Sequence, residues 1–194
     1  FIYKELRRNI LYSSIIGSAT LSMAWFLQPY LANELHMVTA EIGIAWFTLN
    51  MLVGIATLLA YKFEKFAGPT ITLITIAVAI PGTYVLMAYI HGWAILLLIA
   101  LFYIIRGIAT PVLKDYINRI TASDIRATVL SVRNFLIRIL FSILGPFVGY
   151  FADAYSLRDA LALAGIIFFV SSAIAVIFFL ISFGKTSLTE EKTD

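Results

Sequence analysis

The chain of 194 residues contains no cysteine and only two histidines, and charged residues make up 13% of it. The absence of cysteine excludes disulfides and thiolate metal ligands. The sequence has no Gly-rich phosphate loop, nucleophile elbow or cluster of zinc ligands. His36 and His91 both fall in predicted loops. We therefore expect no enzyme activity, no catalytic residues, no metal and no cofactor.

Apolar residues, by contrast, are abundant. They make up 61% of the chain, and its mean hydropathy is +0.95. A soluble domain of this size cannot bury so much apolar surface, because about half of its residues contact water. The composition therefore predicts a membrane protein whose principal partner is the lipid bilayer.

Six apolar segments are long enough to cross a hydrocarbon core of about 30 Å, which requires about 20 helical residues. The sequence thus predicts an all-α, polytopic membrane domain over residues 9–183. A cytoplasmic linker end is expected at 1–8 and a cytoplasmic tail at 184–194. The six segments cover approximately residues 9–31, 40–61, 70–90, 93–113, 127–151 and 160–183.

Lysine and arginine are distributed unevenly over the predicted loops. Ten of the fourteen lie at the two termini and in the second and fourth loops, which share one side of the membrane. Arg158 alone lies on the other side, and three arginines lie inside spans. Because cytoplasmic loops are enriched in Lys and Arg, both termini are predicted to be cytoplasmic. The net charge of +3 then requires no nucleic acid as a partner.

Polar side chains are concentrated in four of the six predicted spans. The third and sixth contain no ionisable residue, Asn or Gln, and we expect these two to face lipid. On the fifth, Asn134, Arg138 and Ser142 recur at helical spacing and share one face. Close helix packing explains small residues such as Gly and Ser, but it does not need amides and arginines. We interpret the amides and arginines as residues of a polar cavity.

The three arginines inside spans differ in their expected roles. Arg106 lies about 20 Å from the outer end of its helix at 1.5 Å per residue. It is therefore expected either to reach the inner interface, pairing with Glu64 or Asp115, or to face a water-filled cavity. Arg138 is the better cavity candidate, whereas Arg133 points about 140° away from it and is expected near the interface. No carboxylate lies near the midplane of a predicted span, so this chain offers no proton carrier of its own.

Three stretches resemble the major facilitator superfamily of transporters. AYKFEKFAG, residues 60–68, is similar to its loop signature G-x-x-x-D-R-x-G, with Glu64 and Lys65 at the acidic and basic positions. GYFADAYS, residues 149–156, resembles the second copy of that signature, which lies in a later loop. The sequence from Arg106 to the last predicted span is similar to the tenth to twelfth helices of bacterial members. With six spans and no initial Met, the chain resembles the C-terminal six-helix half.

The resemblance implies a 3+3 inverted repeat of helices, a partner in the N-terminal six-helix half of the same transporter, and a place in the bacterial cytoplasmic membrane. It implies movement of a small organic solute by alternating access. On the residues alone, a complete six-helix homo-oligomeric transporter or channel and a non-transporting scaffold subunit stay open as alternatives. The implied cytoplasmic gate is formed by Glu64, Lys65 and Asp115. The implied substrate cavity contains Trp25, Gln28, Tyr30, Asn50, Tyr103, Arg106, Asn134 and Arg138.

Overall fold

A computed structural model describes the backbone of residues 2–190 and the side chains of residues 4–178. These residues form α-helices and one 3-10 turn, Gly92–Ala94, and they contain no strand. The prediction of an all-α fold is therefore confirmed. The helices are α1 (Ile2–Glu34), α2 (Thr39–Tyr89), α3 (Ile95–Arg119), α4 (Arg126–Ala154) and α5 (Leu157–Glu190).

All five helices are long and apolar enough to cross a membrane. A helix satisfies every internal backbone N–H and C=O within the segment, and this is required where no water is present to bond them. The turns between the helices are short, and two of them begin the next helix with a side-chain cap. Glu41 accepts a hydrogen bond from the backbone N–H of Val38 at 2.9 Å. Ser156 accepts one from the backbone N–H of Asp159 at 3.1 Å.

The second and third predicted spans are not separated by a loop, as the sequence had suggested. Both lie within α2, because the polar stretch at 62–67, predicted as a loop, is helical. Its Lys, Phe, Glu and Ala residues do not break a helix. Gly68 does interrupt the helical geometry, with φ of 77° and ψ of 162°, and Pro69 follows it. An unbroken helix of 51 residues would measure about 77 Å at 1.5 Å per residue, more than twice the hydrocarbon thickness.

The predicted ends of the chain are also helical where the structure describes them. Helix α1 includes residues 2–8, which were expected to be a linker end, and α5 continues past the predicted end of the last span to Glu190. Phe1 and residues 191–194 of the expected tail lie outside the described residues.

The two segments of α2 form hydrogen bonds with different neighbours. The segment before Gly68 packs on α3, where the Thr57 hydroxyl donates to the Gly107 carbonyl at 3.0 Å. The segment after it packs between α1 and α5, where Ser172 donates to the Ala77 carbonyl at 3.0 Å. Helix α1 also contacts α4, whereas α3 and α4 contact each other only weakly. An open space between α3 and α4 follows from this arrangement.

Buried tyrosines connect α1 to the second segment of α2. The Tyr12 hydroxyl donates to the Leu73 carbonyl at 2.8 Å, and the Tyr30 hydroxyl donates to the Met87 carbonyl at 3.2 Å. Tyr84, in the opposite direction, donates to the carbonyl of Ala19 on α1. Each ring adds apolar contact area, and each hydroxyl is satisfied at the far helix. Together these bonds hold the α1–α2 pair along most of its length.

One arginine connects the ends of three helices, on the side of the bundle opposite the chain termini. Arg158, at the start of α5, donates to the Glu34 carboxylate and, at 3.0 Å, to the Ile90 carbonyl. Its guanidinium carbon lies 5.8 Å from the centroid of the Tyr30 ring. The single basic residue predicted for this side therefore has a structural role, because it joins α1, α2 and α5.

We predict that Gly107→Ala destabilises the protein. A Cβ at this position would lie 2.7 Å from the Val53 carbonyl oxygen and 2.8 Å from the Ala56 Cβ. The carbonyl belongs to a packed helix and cannot move away cheaply, so the expected loss is about 1–3 kcal/mol. Thermal unfolding of the purified protein in detergent measures it. Gly82→Ala is the matched control, since no atom lies within 4 Å of its Cβ, and equal Tm values for the two variants would contradict the prediction.

Candidate functional site

A cavity of about 620 Å³ lies between α1, α3 and α4. Four basic side chains line it, and no carboxylate does. The remaining lining is apolar apart from one amide and three hydroxyls. The basic residues are Arg106, Lys114, Arg133 and Arg138, and none of them forms an ion pair with a carboxylate of the described side chains.

Arg133 is the most deeply placed of the four, with 5% of its surface exposed. Its Nε donates to the Ser13 hydroxyl on α1, and its Nη1 donates to the Asn134 side-chain oxygen at 3.1 Å. The Ser14 hydroxyl in turn bonds the Arg133 carbonyl at 3.4 Å. All of these partners are neutral. The guanidinium is therefore hydrogen-bonded, but its positive charge stays uncompensated.

Arg106 and Arg138 occupy the same depth on facing helices. Because α3 and α4 form an antiparallel hairpin, depth is counted from their connected ends. Arg106 precedes the end of α3 by about 13 residues and Arg138 follows the start of α4 by about 12, so each lies about 18–20 Å from the hairpin turn. The Arg106 guanidinium carbon lies 5.3 Å from the Tyr103 ring centroid. This cation–π contact holds the guanidinium beside the Tyr103 ring.

Each hydroxyl group of the cavity lining donates a hydrogen bond to a backbone carbonyl of its own helix. Thr20 donates to the Gly17 carbonyl at 2.9 Å, and Ser142 donates to the Arg138 carbonyl at 2.8 Å. Thr110 donates in the same way one turn back along α3, at 3.0 Å. These oxygens therefore present lone pairs to the cavity. The hydrogen-bond donors left to the cavity are its four cationic side chains, the Asn134 amide and the Trp25 indole N–H.

An aromatic pair forms one end of the cavity. Trp25 of α1 and Phe141 of α4 have ring centroids 5.8 Å apart. Phe141 lies one helical turn beyond Arg138, about 4.5 Å further along the helix axis. The cavity therefore has an apolar end next to its pair of facing arginines.

The structure brings four of the eight predicted substrate residues to this cavity: Trp25, Arg106, Asn134 and Arg138. The other four do not line it. Tyr30 and Tyr103 are buried, while Gln28 and Asn50 are exposed elsewhere. Asn50 donates to the Trp46 carbonyl one turn earlier at 2.8 Å, and the Tyr103 hydroxyl has no described partner.

Of the three predicted gate residues, Glu64 and Asp115 lie together, whereas Lys65 does not join them. Glu64 is buried and accepts a hydrogen bond from the Tyr116 hydroxyl at 3.2 Å. Arg119 Nη1 lies 3.7 Å from the same carboxylate, and its Nη2 lies 2.6 Å from Asp115. These side chains surround a second cavity, of about 140 Å³, between α2 and α3. Lys65 is exposed and forms no ion pair with the described side chains.

Sequence reasoning missed three basic residues of these two sites. Lys114 and Arg119 were assigned to a loop, but α3 continues through both. Arg133 was expected near the membrane interface because it points away from Arg138 on a helical wheel. A neighbouring helix, α1, covers that side of α4, and its serines accept the guanidinium. The adjacent serines at 13 and 14 are the one sequence signal that pointed to such a partner.

Comparison with known proteins gives no match. No family model matches the chain, and no curated protein or solved structure is significantly similar to it. Among the described residues, no three His, Asp or Glu side chains come together as a metal site. The chemistry of the site must therefore be argued from its own side chains, which offer positive charge, hydrogen-bond donors and an aromatic surface.

We predict that Arg119→Gln destabilises the protein through Glu64. The variant leaves a carboxylate that is 10% exposed with only the Tyr116 hydroxyl as a partner. Because Arg119 is itself half exposed, we expect a loss of about 1–2 kcal/mol, less than for a fully buried pair. Thermal unfolding in detergent measures the loss. In a Glu64→Gln background the same substitution should have little effect, and an undiminished loss there would show that Glu64 is not the cause.

Proposed function

We propose that this chain is one half of a secondary transporter of the major facilitator type, moving a small organic solute across the bacterial cytoplasmic membrane. The observation that carries the proposal is the cavity between α1, α3 and α4, where arginines and an amide lie within helices long enough to span a membrane. Inserting an Arg at the centre of a membrane helix costs about 2.5–3.5 kcal/mol. Such residues normally mark the path of a solute or an ion.

The interruption of α2 supports a count of six spans. If the chain reverses at Gly68, α2 supplies two spans and both termini lie on the same side. The uneven distribution of Lys and Arg in the sequence supports the cytoplasm as that side. Three spans before and three after the turn at Gly92 then form the inverted repeat of the family.

Alternating access gives the two cavities different tasks. In the proposed mechanism, the larger cavity binds the solute, and an N-terminal six-helix half completes its wall. Most of α4 is exposed in this chain, which suits a helix that has a second half beside it. Glu64, Asp115 and Arg119 act at the cytoplasmic end as a gate. Arg119 and Asp115 are about half exposed, and ion pairs in such surroundings are weak enough to break and reform.

Cysteine labelling tests this function, because the chain has no native cysteine. Single cysteines at Asn134 and Ser142 of the complete protein, embedded in membranes, should react with a water-soluble maleimide. Ile76, which is buried, and Ile174, which is an exposed apolar residue of α5, supply the control positions and should not react. Protection by a transported solute would then identify the site.

A helix bundle without a water-filled cavity would give the opposite labelling result. If neither Asn134 nor Ser142 could be labelled as cysteine, the transporter would be excluded in favour of the scaffold subunit. If both were labelled and this chain alone carried solute in proteoliposomes, the homo-oligomeric transporter or channel would replace the half-transporter.

A further inference from the structure

The large cavity carries positive charges that no carboxylate of the described side chains neutralises. Arg158 and Arg119 are both paired with carboxylates, which are Glu34 for the first and Glu64 with Asp115 for the second. The four basic side chains of the cavity have no such partner among the described residues. An uncompensated cation is costly where it is shielded from water, as Arg133 is. A bound ligand of opposite charge would remove that cost.

The hydrogen-bonding groups select for the same kind of ligand. Guanidinium groups bind carboxylate, phosphate and sulfonate oxygens through paired N–H donors. The lining hydroxyls donate to the helix backbone, so the arginines are the principal donors left for such a group. Arg106 of α3 and Arg138 of α4 both line the cavity, so the positive charge of both attracts an anionic group bound there.

The aromatic end adds a requirement on the rest of the ligand. Trp25 and Phe141 present ring surface about one helical turn from Arg138. A cavity of about 620 Å³ is in the range of sites for small organic molecules. An inorganic anion would leave this apolar end unused.

We infer that the cavity binds an organic anion with an aromatic or apolar body. Its charged group contacts Arg106 and Arg138, and its body packs on Trp25 and Phe141. Arg133 is a positioning residue: its bond to Ser13 holds α1 against α4, its bond to Asn134 within α4 orients the guanidinium, and its charge maintains the positive potential. The inference rests on the proposed function, since it assumes that the cavity is open to water and to a solute.

The first experiment measures the electrostatic potential at the thiol of Ser142→Cys in membrane fragments. The probes are two methanethiosulfonates of similar size, the negative sulfonatoethyl and the positive trimethylammonioethyl reagent. Each rate is divided by the rate at Ser123→Cys, an exposed position in the turn between α3 and α4. After this correction we expect a preference of about tenfold for the negative reagent, because a cavity lined by one sign of charge concentrates the opposite ion.

Failure of the proposed function and failure of the anion inference alone would give different labelling results. If the Ser142→Cys variant reacts with neither reagent, the cavity is dry and the proposed function fails together with the inference. If it reacts with both reagents but without preference for the negative one, the cavity is aqueous and the anion inference alone is overturned. Arg106→Gln and Arg138→Gln should each lower the preference about threefold. Arg126→Gln, on the same helix but outside the cavity lining, should not lower it.

The second experiment tests the class of anion by protection of the introduced thiol in Ser142→Cys. Naphthalene-2-sulfonate should slow its modification, whereas inorganic sulfate and neutral 2-naphthylmethanol should not. Equal protection by sulfate would overturn the apolar body, and equal protection by the alcohol would overturn the anionic group. Arg138→Gln should weaken protection about tenfold or more, the usual effect of removing a charged hydrogen bond.

A charge-conserving variant separates binding from folding. Arg138→Lys keeps the positive charge, so it should retain most of the protection that Arg138→Gln loses. If Arg138→Gln does not elute as a single species, Arg106→Gln provides the same comparison from the facing helix. Full protection in both glutamine variants would overturn the assignment of these two arginines.

Discussion

The contact between Arg133 of α4 and Ser13 of α1 is the interaction on which the cavity depends. A guanidinium buried in a membrane helix is tolerated only where oxygens satisfy its N–H groups, and Ser13 and Asn134 supply them. The bond also sets how α1 lies along α4. With Ser13 opposite Arg133, Gly17 meets Ile137 and Trp25 meets Phe141. The cavity is then bounded by α1 and α4, and α3 supplies its third wall.

The ion pairs at the two ends of the bundle differ in their exposure to water. At one end Arg158 and Glu34 are 16% and 23% exposed, and the arginine also bonds a helix-end carbonyl. At the other end Arg119 and Asp115 are 52% and 51% exposed. Ion pairs in water contribute about 0–1 kcal/mol, and shielding strengthens them. In the proposed transporter, the second end therefore opens more easily than the first.

Local composition was sufficient for the helices but not for every boundary between them. An apolar run long enough for a bilayer adopts a helix because its backbone groups have no other partner, so the five membrane-length helices follow from the sequence. The break near Gly68 was predicted as an eight-residue loop. It is a single non-helical residue instead, because Lys, Phe, Glu and Ala propagate a helix as readily as they form a polar turn.

The all-α class, the membrane-length helices and the polar faces on which Asn134 and Arg138 lie all follow from the amino-acid sequence alone. These depend on local periodicity, which repeats along one chain. Which of these faces meet depends on how the helices pack together. That packing brought Arg106 and Arg138 to one cavity, buried Arg133 against Ser13 and left Asn50 outside the cavity. The neighbours of a helix face depend on packing between segments far apart in sequence, and helical periodicity carries no information about that packing.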